Sequence, residues 1–444
     1  MENKATVRAA FIAVTTLFFA WGFITSLIDP LVAAVKGIFT LSDVQAQLSA
    51  FAFFIAYGVV SFPAAALIAK VKAVPAILMA LAMMVLGCLI MLGAANVALY
   101  TLVLLGLFVL ASGITVLQVA ANPLAAALGS PEGSHFRLTL SQTFNSLGTF
   151  IGPFLGAVLF LEGVEVTEGT AITPEVRDAA LAGIDRAYFW ICGLLILLLA
   201  FFWFSRKTVA DAAPEPAPRA GIGAMIADAF ASRWALFGGA AIFLYVGAEV
   251  AIGTQMALFL NAPDVWGRSD AAFDVPLLGR AMGSDGVAGV SLQEAGKAVA
   301  FYWGGAMVGR AVGSALLARF DAARLLAIFT GIAALMCVYV FFVGGVSAGF
   351  VALSIGLFNS IMFPVIFTLT LERSSASAEA TSALLCTAII GGAFLPLAVG
   401  AVSDAAGYIA AFIVPAACYL KLCLFAIAAG KVVTRRYAEG LDAH

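Results

Sequence analysis

Two acidic residues stand inside stretches otherwise fit for lipid: Asp29, in TSLIDPL, and Glu249, in YVGAEV. A charge at bilayer depth costs at least a few kcal/mol, so such a residue is read first as functional or paired. Thr25 precedes Asp29 by four residues and Tyr245 precedes Glu249 by four, spacing that puts each pair on one helix face. Asp29 reads as a protonatable or cation-binding carboxylate rather than a helix end meeting water, because the apolar run continues from Leu31 to Val35. Glu249 reads either as a ligand for a cation or a polyhydroxylated solute, or as the structural partner of Arg310 in YWGGAMVGR. Amides supply the rest. Gln118 and Asn122 are spaced i,i+4 in TVLQVAANP, and Gln142 and Asn145 are spaced i,i+3 in SQTFNSLG. Each pair offers donors and acceptors along one helix face, which suits a neutral ligand rich in hydroxyls. The same amides can also bridge helices in a membrane. Tyr302, Trp303 and Asn359 add further polar atoms in the second half, and Trp303 or Phe144 can present an apolar ring face. Lys421, in CYLKLCLF, is expected to snorkel or to pair locally.

The elements that must position these residues follow from composition. Of 444 residues 63% are apolar and 11% charged, with a mean hydropathy of +1.07. So few charges cannot cover so much apolar surface in water. The chain is therefore expected to be an all-α, polytopic membrane protein. A helix needs roughly 20 apolar residues to cross a bilayer. Such runs occur near 10–34, 43–69, 74–95, 98–128, 136–161, 185–205, 234–261, 291–318, 323–345, 347–372, 379–403 and 408–431. The first is followed by no small-residue cleavage site and reads as a retained helix. Lys and Arg concentrate in the segments that share a side with both termini, which places the termini in the cytoplasm. The acidic stretch at 162–178 then lies outside. The proline-rich stretch at 206–232 reads as a cytoplasmic linker, too polar to pack or to span. It divides the chain into bundles at 1–205 and 233–444.

Other classes fall away. The net charge is −2 and no basic stripe alternates with aromatics, so nucleic acid is not an expected partner. The six cysteines show no metal-site spacing and read as small buried hydrophobes. No Ser/His/Asp set or metal cluster converges within the spans, so neither an enzyme nor a cofactor is expected. The halves repeat: Ser42-x-x-Gln45 and Ser291-x-x-Glu294 each have the form of a helix capping box, 249 residues apart. At the same offset AAALIAK (64–70) faces GSALLAR (313–319). Parallel six-helix repeats are the plan of major facilitator transporters, whose substrate sits near the midplane between two bundles.

Six stretches carry a closer resemblance: FFAWGFITSLIDPL (18–31), SGITVLQVAANPL (112–124), HFRLTLSQTFNSLGTFIGP (135–153), FLYVGAEVAIGT (243–254), YWGGAMVGR (302–310) and FNSIMFPVIF (358–367). Through them the chain resembles the fucose–galactose–glucose:proton symporters of the major facilitator superfamily, and the glucose/galactose permeases in particular. The resemblance implies a monomeric alternating-access carrier in a bacterial inner membrane, importing a hexose with a proton. It implies that Asp29 matches the family's span-1 aspartate and that Gln142 and Asn145 match its span-5 polar pair near the sugar. The sequence departs where fucose permease has a second carboxylate in span 4, for Gln118 stands there. Asp29 then acts alone, or Glu249 takes the second role, or sodium is the driving ion. A facilitative hexose uniporter, and more remotely a non-transporting sugar sensor, are the rival readings.

Overall fold

The computed structural model describes residues 4–128, 134–161, 173–213, 221–317 and 319–432. Most of the expected acidic loop (162–172), the prolines of 214–220 and the C-terminal Arg435 and Arg436 lie outside them. The described residues are all helix and connection, and they divide into two units. The first contains α1 (Lys4–Ser26), α2 (Ile28–Ile38), most of α3 (Asp43–Val71), α4 (Ala73–Val97), α5 (Tyr100–Ala127), α6 (Ser134–Phe160) and α7 (Pro174–Ala212). The second contains α8 (Ile222–Ala231), α9 (Arg233–Asn261), α10 (Pro276–Met282), α11 (Leu292–Leu317), α12 (Ala322–Val343), α13 (Gly345–Asn359) and α14 (Met362–Arg373). It continues with α15 (Ala378–Thr387), α16 (Gly391–Ala406), α17 (Tyr408–Ala411) and α18 (Ile413–Gly430). Leu41–Phe51, the opening of α3, clusters with this second unit.

Among the described residues eleven helical stretches are long and apolar enough to cross a membrane, against twelve expected. The missing one, at 291–318, is formed as α11 and has 26 residues, about 39 Å of helix and ample for a bilayer core. It falls short in apolarity because it carries Glu294, Lys297 and Arg310.

Among the described residues four spans are interrupted within the apolar run: one by a 3-10 turn at Ala388–Ile390 between α15 and α16, and three at a point three residues before a proline. Leu27 parts α1 from α2 ahead of Pro30, Ile361 (with Ser360) parts α13 from α14 ahead of Pro364, and Phe412 parts α17 from α18 ahead of Pro415. Proline has no N–H, and its ring crowds the carbonyl four residues back, so one rung of the helical ladder is lost. The backbone stays in the right-handed helical region at Leu27, Ile361 and Phe412, so each is a break in bonding rather than a turn.

Both capping boxes form as the spacing predicts. Gln45 N–H donates to Ser42 Oγ at 3.2 Å and Ser42 N–H to Gln45 Oε1 at 3.0 Å. Glu294 N–H donates to Ser291 Oγ at 3.3 Å and Ser291 N–H to Glu294 Oε2 at 2.8 Å. The start of α3 is held further within the second unit. Asp404 on α16 accepts from the N–H groups of Asp43 (2.6 Å) and Val44 (3.0 Å). The Asp43 carboxylate in turn accepts from Ser403 Oγ (2.7 Å) and Tyr408 Oη (3.1 Å). Gly400 lets the backbones meet, since a Cβ there would stand 3.0 Å from the Asp43 carbonyl carbon. Asp404→Ala leaves two first-turn N–H groups without an acceptor, an expected loss of about 1–2 kcal/mol, checked by thermal unfolding in detergent.

The stretch expected to link the bundles without packing is helical at both ends. α7 continues to Ala212, and α8 packs Ala229 against Ala376 and Ala380, flanked by Met225 and Leu384. IGAMIADAFA carries an apolar face that the prolines before it obscured. Asp228 fastens α8 by accepting from Ser377 N–H (2.9 Å) and Ser377 Oγ (2.7 Å). The backbone bond first, and the hydroxyl second, hold its carboxyl below the usual carboxylate range. A pKa depressed by folding contributes stability above the unfolded value, and that contribution disappears as pH falls through the folded one. The amides of α8 should therefore lose protection, relative to their intrinsic exchange rates, only in acid, and Asp228→Asn should remove that pH dependence of protection.

Candidate functional site

In the first unit the interruption at Leu27 places Asp29 in the first turn of α2, where the helix N-terminus favours a negative charge. Asp29 is 2% exposed. Thr25 lies on the other side of the interruption, at the end of α1, so the two share one span but not one unbroken ladder. The Gln118 Nε2 amide donates to Tyr57 Oη at 2.8 Å, tying α5 to α3, and Thr25 approaches the same tyrosine hydroxyl. Asn122, one turn on from Gln118, accepts from Gln142 Nε2 at 3.4 Å and so joins α5 to α6. Gln118, Asn122, Gln142 and Asn145 are all partly exposed. Asn145 is also used within the bundle, its Nδ2 donating to the Phe18 carbonyl at 3.1 Å. Phe144 is 42% exposed.

In the second unit Tyr245 Oη donates to Glu249 Oε1 at 2.6 Å, and lies 3.2 Å from the Asn359 carbonyl. Tyr302 Oη donates to the Glu249 carbonyl at 3.1 Å and accepts from Asn359 Nδ2 at 2.7 Å. Four predicted residues, Tyr245, Glu249, Tyr302 and Asn359, thus form one network across α9, α11 and α13. Asn359 ends α13, and the next residue explains Arg310. Pro364 cannot donate to the Ser360 carbonyl, and Arg310 Nε does so instead at 3.4 Å. Arg310 is also close enough to Glu249 for their charges to interact. Trp303 is partly exposed and meets the Tyr302 ring edge-on at 5.2 Å.

Two tyrosines complete the sets and were not singled out by spacing. Tyr57 lies in the apolar run FFIAYGVV, with only its hydroxyl as a signal. Tyr419 on α18 lies near Glu249 and Asn359, in the run CYLKLCLF that drew notice only for Lys421. Its hydroxyl and Asn359 Oδ1 are buried without a protein hydrogen-bond partner among the described residues. Buried polar atoms of this kind take a water or a ligand group. Lys421 lies on the exposed face of α18, between Leu420 and Leu424, where its stem can carry the charge toward the membrane surface.

Residues 10–383 match the family model described as Major Facilitator Superfamily. The chain belongs to that superfamily. It is a multi-pass membrane transporter, and its relatives in the superfamily are named for transport rather than catalysis. The "Glucose/galactose transporter" of Brucella abortus biovar 1 (strain 9-941) is 38% identical over 95% of this chain and 94% of its own length. The "L-fucose-proton symporter" of Escherichia coli (strain K12) is 29% identical over 94% of this chain and 92% of its own. Among solved structures, the superfamily transporter FucP, crystallised in the outward conformation, superposes with a TM-score of 0.66. It is 27% identical and covers 96% of this chain and 100% of its own.

Proposed function

We propose that the protein is a sugar transporter that imports a hexose by symport with a proton, by alternating access in a bacterial inner membrane. The observation that carries this reading is Asp29, a buried carboxylate at the interrupted first span, in a unit that also holds the partly exposed amides of Gln118, Asn122, Gln142 and Asn145. The 38% identity to a protein named for glucose and galactose supports the substrate class, and the E. coli relative named for proton symport supports the ion.

In this reading Asp29 takes a proton from outside, which removes a charge whose desolvation opposes closure. Sugar hydroxyls bond to Gln118, Asn122, Gln142 and Asn145, and to Tyr245, Glu249 and Asn359 in the second unit. Trp303 or Phe144 covers the apolar face of the ring. Coupling requires that sugar and proton each bind better when the other is present. The sugar then leaves inside and Asp29 releases its proton there.

The test is to reconstitute the purified protein in liposomes and record sugar-evoked currents across a hexose panel, at several pH values, with and without sodium. Inward current with glucose or galactose that grows on the acid side and ignores sodium is expected. Sodium-dependent current replaces the proton in this scheme. Radiolabelled sugar equilibrating without current makes the protein a uniporter and Asp29 a structural residue.

A further inference from the structure

The two units repeat the same polar set on corresponding spans. Asp29 and Thr25, on the first span of the first unit, are matched by Glu249 and Tyr245 on α9 at one common offset of 220 residues. Tyr57 on α3, the second span, has a counterpart in Tyr302 on α11, the second membrane-crossing helix of its unit, one helical turn before Ala306, the residue that the 249-residue offset sets opposite Tyr57. Gln118 on α5, the fourth span, is matched by Asn359 at the end of α13. The bonding is repeated as well as the residue types. In each unit the fourth-span amide donates to the second-span tyrosine hydroxyl, at 2.8 Å in the first and 2.7 Å in the second. Duplication predicts a common backbone. It does not by itself predict an amide–tyrosine pair and a first-span carboxylate kept in both copies, in an interior where each polar atom needs a partner.

We propose that Glu249 is a second proton site, the counterpart of Asp29, so that each unit carries one titrating carboxylate and two protons accompany each sugar. This rests on the symport reading above and extends it. Glu249 takes a proton onto its carboxylate on the outer side and releases the same proton inside, so no other reactant is needed.

The groups around Glu249 suit both of its states. Tyr245, on its own helix, donates to Oε1, and Arg310 on α11 supplies the positive charge that an unprotonated carboxylate requires in an apolar bundle. Tyr302 on α11 holds the Glu249 backbone, and Tyr419 on α18 lies close enough to Glu249 to interact with it electrostatically. Glu249 is also more exposed than Asn359, Tyr302 or Tyr419, which are fully buried. The proton site that Gln118 cannot supply on the fourth span is in this way supplied from the other unit.

Two measurements test this. In liposomes, the slope of log sugar accumulation against membrane potential should fall by half in Glu249→Gln, and an unchanged slope overturns the proposal. The second measurement does not depend on transport. Infrared titration of purified protein should show the carbonyl band of a protonated acid that is absent in Glu249→Gln, and a separate band absent in Asp29→Asn. Tyr245→Phe should move the titration midpoint of the Glu249 band and leave that of Asp29 in place. A Glu249 band that never appears while the protein is folded, or one indifferent to Tyr245→Phe, refutes the assignment. If wild type moves no hexose yet both bands titrate as described, the symport reading fails and the duplicated proton sites stand.

Discussion

Asp29→Asn should lower steady-state sugar accumulation by the factor that one proton supplies, while leaving sugar counterflow across the same membrane intact. Moving one charge through about 100 mV is worth about 2.3 kcal/mol. At about 1.4 kcal/mol per tenfold, this is a loss of ~50-fold in the gradient that the carrier can hold. Asparagine keeps the size and hydrogen-bonding reach of the protonated acid, so closure proceeds without a proton and that coupling is lost. Counterflow needs only sugar binding and the conformational cycle, neither of which consumes the Asp29 proton. Measuring both in the same vesicles separates a coupling residue from a folding one: a misfolded variant loses counterflow too. Full accumulation in Asp29→Asn would remove Asp29 from the coupling mechanism and leave its burial in the interrupted span as a matter of packing alone.

How far the chain could be read in advance depended on which physical rule was involved. Span positions were legible because burial in lipid forces long apolar runs, and Ser42-x-x-Gln45 and Ser291-x-x-Glu294 were legible because a capping box is local. The interruptions at Leu27, Ile361 and Phe412 had a local cause too, in Pro30, Pro364 and Pro415, yet a proline in a span reads equally as a kink or a boundary. The amide pairs were found by spacing, but their partners were not. Gln118 bonds Tyr57 from two spans away, and nothing in the run FFIAYGVV marks that hydroxyl. Tyr419 sits in a run whose Lys421 alone drew notice, and α8 was hidden by the prolines that precede it. The charge of α11 was visible, though not its consequence, that Arg310 would serve a carbonyl released by Pro364. Long-range pairing of a single polar atom leaves no periodic trace, and these are the contacts from which the site is built.

Gly148→Val should destabilise the protein by about 3 kcal/mol, the upper end of the usual ~1–3 kcal/mol for overpacking a tight core, and should abolish transport. Gly148, Gly152 and Gly156 recur once per turn along α6, the small-residue spacing that lets membrane helices approach closely. A Cβ at Gly148 would overlap the Phe19 carbonyl and the Phe23 amide of α1, both backbone atoms that no rotamer change can move. At Gly152 it would meet Ser26 Oγ and at Gly156 Pro30 Cγ, so one ridge of α6 follows the first span across its interruption. The same contact carries the Asn145 bond to the Phe18 carbonyl, and Gly22 abuts Asn145 from the other side. Forcing the helices apart at Gly148 therefore shifts Asn145 on α6 and the segment that holds Thr25 and Asp29 together. Gly93→Val is the control, because a Cβ on that glycine of α4 meets nothing within 4 Å. A substitution there should stay within about 0.5 kcal/mol of wild type and keep transport. Melting curves in detergent with uptake in vesicles decide the matter: equal melting of the two variants would mean that α1 and α6 do not meet backbone to backbone, and the positioning of Asp29 by α6 would have to be abandoned.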